Sequence, residues 1–184
     1  FNVKSYRLQY KDLRAAFGDN WKAYYLHYIE YGQREGRAGT GCTTLQGAVT
    51  TYNGIDYAPV YDYAYYYSHN VDLQRAFGPY DDDALLRHFI TFGMSEARQA
   101  SASFNVKSYR LQYRDLRVAF GDNWKAYYLH YIECGQREGR AGTGCTTLQG
   151  AVTTYDGVNY SAVYDYTYYY SHNVDLQRAF GPYD

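Results

Sequence analysis

The sequence predicts a mostly α-helical protein made of tandem modules of short helices, with one small β-hairpin connector per copy. Three observations predict it. Residues 1–81 recur at 104–184, where nine of the 81 aligned positions differ and 72 are identical. Inside each copy a weaker repeat relates Asp12-Leu-Arg-Ala-Ala-Phe17-Gly18 to Asp72-Leu-Gln-Arg-Ala-Phe77-Gly78, and His27-Tyr-Ile-Glu-Tyr-Gly32 to His88-Phe-Ile-Thr-Phe-Gly93. Between these modules, β-forming residues flank Asn53-Gly54, a pair suited to the type I′ turn of a two-residue hairpin. Self-similarity of this kind marks a repeat architecture whose units bury surface against one another.

Each element follows from local signals. Residues 2–10 read as a short helix, and residues 12–17 as a second, closed by Gly18. Residues 21–31 place Tyr24, Tyr25, Tyr28 and Tyr31 on one face at three- and four-residue spacing, with Asn20 as N-cap and Gly32 in the left-handed position after the last turn. The glycine-rich stretch 37–41 reads as irregular, and the hairpin follows. Residues 62–69 form a further helix, Asn70 caps 71–77, and Asp82 or Asp83 caps 84–92, which ends at Gly93. The order is therefore helical module A (1–37), connector with hairpin (38–59), helical module B (60–98), linker (99–103), second module A (104–140), second connector (141–162) turning at Asp156-Gly157, and a truncated second module B (163–184). Starting at Phe1 without a signal-peptide pattern, and stopping before a counterpart of the 84–92 helix, the chain reads as a fragment of a larger protein.

Composition removes several function classes. With 18 Lys+Arg, 19 Asp+Glu and a net charge of −1, the chain lacks the basic footprint of a nucleic-acid binder. No apolar run is long enough to span a bilayer, so membrane insertion is not expected. Three cysteines, Cys42, Cys134 and Cys145, exclude a disulfide-dense scaffold. A Cys134–Cys145 bridge would close a loop of about a dozen residues and stabilise by roughly 3 kcal/mol; a free, buried Cys42 is the alternative use of its position. The excess is in tyrosine, 27 of 184 residues. Tyrosine offers a large contact area with little entropy to lose and a tip that tolerates water, which leans toward binding.

No P-loop, nucleophile elbow, zincin or dinucleotide fingerprint is present, so neither an enzyme nor a cofactor is expected. His27, His88 and His130 sit among apolar neighbours and read as structural. Asp81-Asp82-Asp83 reads as a helix start rather than a calcium loop, and Ser68-His69-Asn70 as a helix junction rather than a triad. Glu35 with Arg37, and Glu96 with Arg98, are expected to tie the chain back onto its module.

Comparing modules A and B sorts scaffold from surface. Positions apolar in both, among them Tyr6/Tyr66, Leu13/Leu73, Tyr24/Leu85, Tyr25/Leu86, Tyr28/Phe89, Ile29/Ile90 and Tyr31/Phe92, are expected to build the core. Positions that change character, Ser5/Tyr65, Arg7/Tyr67, Tyr10/Asn70, Trp21/Asp82 and Leu26/Arg87, are expected to be wet. Trp21, Leu26, Tyr65 and Tyr67, with their copies Trp124, Leu129, Tyr168 and Tyr170, are then the candidate partner-binding anchors, or else pack against a neighbouring module or hairpin.

The pattern Asp62…Tyr65-Tyr66…Asn70-Val-Asp72-Leu73, followed by His88-Phe89…Gly93, with Glu35-Gly36-Arg37 in module A and Glu96-Ala97-Arg98 in module B, resembles a repeat of large secreted bacterial proteins. The tyrosine-rich form with its Asn-Gly hairpin resembles surface proteins of gut Gram-positive bacteria, and among them the B-cell superantigens that bind immunoglobulin variable domains outside the antigen site. The resemblance implies a secreted or cell-surface, non-catalytic protein-binding module with an immunoglobulin variable domain as partner. It carries no binding residue over by motif. A module that targets cell-wall glycan through aromatic platforms is the alternative. Near-identical copies should present two binding faces, so a Fab is expected to approach two per chain, with linkage raising avidity by about 10²–10⁴.

Overall fold

The computed structural model describes residues 1–78 and 80–180, so Pro79 and residues 181–184, where the second B module ends, lie outside the described residues. The protein is mostly helical. The first copy runs α1 (Val3–Gln9), α2 (Lys11–Phe17), α3 (Trp21–His27) continuing into a π turn (Tyr28–Gly32), β1 (Thr51–Tyr52), β2 (Ile55–Asp56), α4 (Tyr63–His69), α5 (Val71–Ala76) and α6 (Asp82–His88) with a second π turn (Phe89–Gly93). The second copy repeats this as α7 (Val106–Gln112), α8 (Arg114–Phe120), α9 (Trp124–His130) with its π turn (Tyr131–Gly135), β3 (Thr154–Tyr155), β4 (Val158–Asn159), α10 (Tyr166–His172) and α11 (Val174–Phe180). Two compact units result: Phe1–Gly93 with Gln99–Ala102, and Met94–Arg98 with Ser103–Asp184. No helix among the described residues is long and apolar enough to cross a membrane.

Short-range chemistry sets the element ends. The Asn2 side chain accepts from Ser5 N at 3.0 Å, Asn20 from Ala23 N at 3.3 Å and Asp62 from Tyr65 N at 2.7 Å, each satisfying an N–H that the first helical turn leaves unpaired. Asn53 and Asp156 take φ of 48° and 49° with Gly54 and Gly157 also at positive φ, the conformation a type I′ turn needs. β1 pairs antiparallel with β2, and β3 with β4. Asn70 departs from expectation: it stands at the N-cap of α5 without a capping bond, and its side-chain amide donates back to Tyr66 O at 2.8 Å.

A three-residue motif occurs three times in the core. The Tyr6 hydroxyl meets His27 Nδ1 at 3.0 Å, Tyr66 meets His88 at 3.2 Å and Tyr109 meets His130 at 3.0 Å. Gly32, Gly93 and Gly135 complete it, because a Cβ at any of them would collide with the hydroxyl of the same tyrosine. Gly32 therefore serves close packing inside a π turn and not the left-handed helix end expected of it; the positive φ comes at Gly36.

Burial departs from the module comparison in two ways. Tyr6, Leu13, Tyr24, Tyr66, Leu73, Leu85, Leu86 and Phe89 are buried as expected, but Tyr25, Ile29, Tyr31 and Phe92 are exposed. Conversely, three positions expected to be wet, Ser5, Arg7 and Asp82, are buried. Cys42, Cys134 and Cys145 are free thiols. Cys42 Sγ donates to Thr44 O at 3.1 Å and Cys145 Sγ to Thr147 O at 3.0 Å, so the two copies hold this position alike and the Cys134–Cys145 bridge is not formed.

Burial also pushes core tyrosine hydroxyls upward in pKa: Tyr6 and Tyr24 to about 12, and Tyr61, Tyr63 and Tyr109 further. Between the ordinary value of 10 and these raised values the folded chain holds more protons than the unfolded one, so stability falls as pH rises through that window and is complete below it. Titration followed by tyrosinate absorbance checks this. The buried set should ionise in a steep step that coincides with loss of the helical circular dichroism. A single smooth titration with the helices intact would mean that these rings are reached by water.

Candidate partner-binding site

The site is built on a buried arginine. Arg14, on α2, is fully buried. Its Nη1 donates to Arg7 O and Leu8 O at 2.8 Å each, at the end of α1. Its Nη2 donates to Gln46 O at 2.9 Å and to Gly47 O in the connector. Its Nε meets both carboxylate oxygens of Asp82 at 3.1 and 3.0 Å, and Asp82 Oδ2 also accepts from Val49 N at 2.8 Å. One guanidinium thus fastens α1, α2, the connector and the first turn of α6. The acidic triplet does not cap α6 through Asp82 or Asp83 as the sequence suggests. Asp82 faces Arg14, Asp83 pairs with Arg87 at 2.7 Å, and Asp81 accepts from Gly78 N at 3.0 Å.

Fastening α6 there brings the chain before it against α1 and α3. Arg7, also buried, donates to Tyr80 O at 2.5 Å. Its Nη2 lies 3.5 Å from Asp19, 3.4 Å from Asp81 and 3.5 Å from Asp83, and its guanidinium stacks 5.6 Å from the Trp21 ring centroid. Burial raises the Asp83 carboxyl above its ordinary value against the pull of Arg87 and Arg7. Trp21 and Tyr80, each 41% exposed, border a recess of about 380 Å³ lined also by Lys4, Arg7, Leu8, Gly78 and Asp81. An exposed indole held by a buried cation, beside an apolar hollow, suits an aromatic or aliphatic side chain from a partner.

The expected anchors do not converge. Trp21 borders this recess, whereas Leu26, five residues on and about 140° around α3, is exposed among Tyr25 and Ile29. Tyr65 and Tyr67 point to different sides of α4: Tyr65 stacks on His69 at 3.9 Å and Tyr67 on Tyr63 at 6.0 Å, and both are half-buried. Neither Tyr65 nor Tyr67 lines the recess. In the second unit Arg110 stacks 5.3 Å from Trp124 and pairs with Asp122 at 3.1 Å. Trp124, Leu129 and Tyr170 are half-buried there and Tyr168 is exposed, stacked on His172 at 4.0 Å. The counterpart of Tyr80 lies outside the described residues.

Sequence reasoning missed Tyr80 and Arg7. Tyr80 carries no motif, and Arg7 aligns with Tyr67, which suggests a solvated position. The available signal was the pairing of two module-A arginines with the acidic run that opens the 84–92 helix. Ser68 Oγ lies 3.1 Å from His69 Nδ1 on an exposed helix end, where His69 Nδ1 also meets Tyr65 O at 2.9 Å. No group of three His, Cys, Asp or Glu that could hold a metal occurs among the described residues. Arg37 ties back to Asp12 at 2.8 Å and Glu35 at 2.6 Å, and Arg140 to Asp115 at 2.8 Å. Compared with models of protein families, with curated proteins and with solved structures, the chain matches none.

Proposed function

We propose that the protein is a non-catalytic, extracellular binding module for a folded protein partner, with the immunoglobulin variable domain as that partner. The observation that carries this reading is the Trp21–Tyr80 recess: two exposed aromatics beside an apolar hollow, with the buried Arg7 stacked on the Trp21 ring and bonded to the Tyr80 carbonyl. Aromatics held in place lose little entropy on binding and are enriched among residues that dominate interface energy. The choice of partner rests on the resemblance of the tyrosine-rich repeat to bacterial B-cell superantigens.

The test is capture of polyclonal immunoglobulin by the immobilised chain, set beside sedimentation of the chain with peptidoglycan. Capture without sedimentation is expected; sedimentation without capture would replace this reading with the glycan-targeting one. Titration with Fab fragments then reads stoichiometry and affinity. Trp21→Ala combined with Trp124→Ala is expected to weaken Fab binding by about thirtyfold or more, the size of an interface hot spot of about 2 kcal/mol. The melting temperature should fall by no more than several degrees, because each indole gives up a cation–π contact of about 0.5–1 kcal/mol and a tilted ring contact with Tyr24 or Tyr127. Unchanged affinity would remove the recess as the site.

A further inference from the structure

We propose that Asn53-Gly54, at the tip of the first hairpin, is a site of spontaneous covalent modification, where the asparagine becomes aspartate or isoaspartate through a cyclic imide. The chain has eight asparagines, and Asn53 alone is followed by glycine; valine, tryptophan or tyrosine follows each of the others. The imide ring closes when the next main-chain nitrogen reaches the asparagine side-chain carbon, and a Cβ on that next residue obstructs the approach. Gly54 has none, and the space where one would stand is open, with no other part of the chain within 4 Å. Asn53 itself is exposed.

Hydrogen bonding singles out the same residue. The side-chain oxygens of Asn2, Asn20, Asn105, Asn123 and Asn159 accept from backbone N–H groups. The amides of Asn70 and Asn173 donate to Tyr66 O and Tyr169 O. The Asn53 side chain makes no such bond among the described residues. Its turn joins strands of two residues each with no third strand beside them, and so small a hairpin opens readily. Opening frees the Gly54 nitrogen to swing toward the Asn53 side chain. In the reaction that nitrogen bonds to Asn53 Cγ, its proton passes through solvent to the departing amide, and the Cγ–Nδ2 bond breaks to release ammonia. Water then opens the ring at either carbonyl. Attack at Cγ leaves aspartate; attack at the main-chain carbonyl leaves isoaspartate, with the chain now running through the side chain. Aspartate fits the turn, since Asp156 holds the matching place at φ 49° against 48° for Asn53, with the same pairing of the flanking strands. Isoaspartate adds one atom to the main chain of a two-residue loop and so upsets the Tyr52–Ile55 register.

The test incubates the intact chain in warm, mildly alkaline buffer and follows every asparagine by peptide mapping with mass detection. Conversion at residue 53 is expected to run at least about tenfold faster than at any other asparagine, each of which must give up a hydrogen bond and crowd a Cβ. It should be no more than about tenfold slower than in urea, because the hairpin is marginal. Hydroxylamine, which attacks the imide, should cut the incubated chain between residues 53 and 54. Asp156→Asn, which writes Asn-Gly into the second hairpin, should create a second site of comparable rate. An Asn53 that stays intact in the folded chain while urea converts it would overturn the proposal, since the turn would then hold the reacting atoms apart. Equal conversion at all asparagines, or an inert Asp156→Asn turn, would overturn it as well.

Discussion

Asp82→Ala is expected to cost the first unit about 3–5 kcal/mol, the penalty for leaving a buried charge without its partner. Arg14 and Asp82 both have fully buried side chains, so neither can recover hydration when the other is removed. The carboxylate also accepts from Val49 N, and that amide loses its acceptor as well. An apolar exchange of both charges should not rescue the fold here. Arg14 satisfies four backbone carbonyls besides the carboxylate, and Arg14→Met with Asp82→Leu would take this donor from all four, including those of Arg7 and Leu8 in the core. Hydrogen exchange reads the effect unit by unit. Protection in α1, α2 and the 46–49 segment should drop by about a hundredfold or more, while α7–α9 of the second unit keep theirs. A loss below about tenfold would mean that apolar packing, not the ion pair, holds α6 in place.

The second large effect is an inequality between two copies of one residue. Tyr66→Ala is expected to destabilise its unit by about 3–5 kcal/mol, the range for truncating a large buried ring, and Tyr169→Ala by no more than about 1 kcal/mol. Tyr66 is fully buried between Tyr61 and Phe89 with its hydroxyl on His88, whereas Tyr169 keeps only Tyr164 among these neighbours. Denaturant unfolding of the two variants measures the difference directly. Equal losses would show that Tyr169 is covered in solution.

Much of the fold was legible because its signals are short-range. The cap at Asn20, the turn at Asn53-Gly54 and the helix end at Gly18 each depend on atoms within a few residues, and each forms as the sequence suggests. The recurring Tyr–His pair was half legible: the histidines read as structural, but the tyrosine that meets each lies 21 or 22 residues away, and the glycine that admits its hydroxyl passes for a helix stop. The candidate site was less so. Trp21 was picked out by its change of character between modules, yet the same rule placed Arg7 and Asp82 in solvent. It failed because modules A and B are not equivalent partners: α6 brings an acidic first turn onto arginines of α1 and α2, so residues that differ between modules are the ones that face each other.

By itself the sequence determined the repeat, the helical class, the hairpins and some helix boundaries, Asn20 and Gly18 among them, because these follow from backbone sterics and hydrogen bonds within a turn or two. Only the tertiary structure decided what is covered. Tyr25 is exposed and its copy Tyr128 is buried with its hydroxyl on Arg98 O at 2.8 Å; Val60 is buried and its copy Val163 is exposed. Identical residues at corresponding positions differ because burial belongs to whichever segment packs above them, and that segment lies far along the chain.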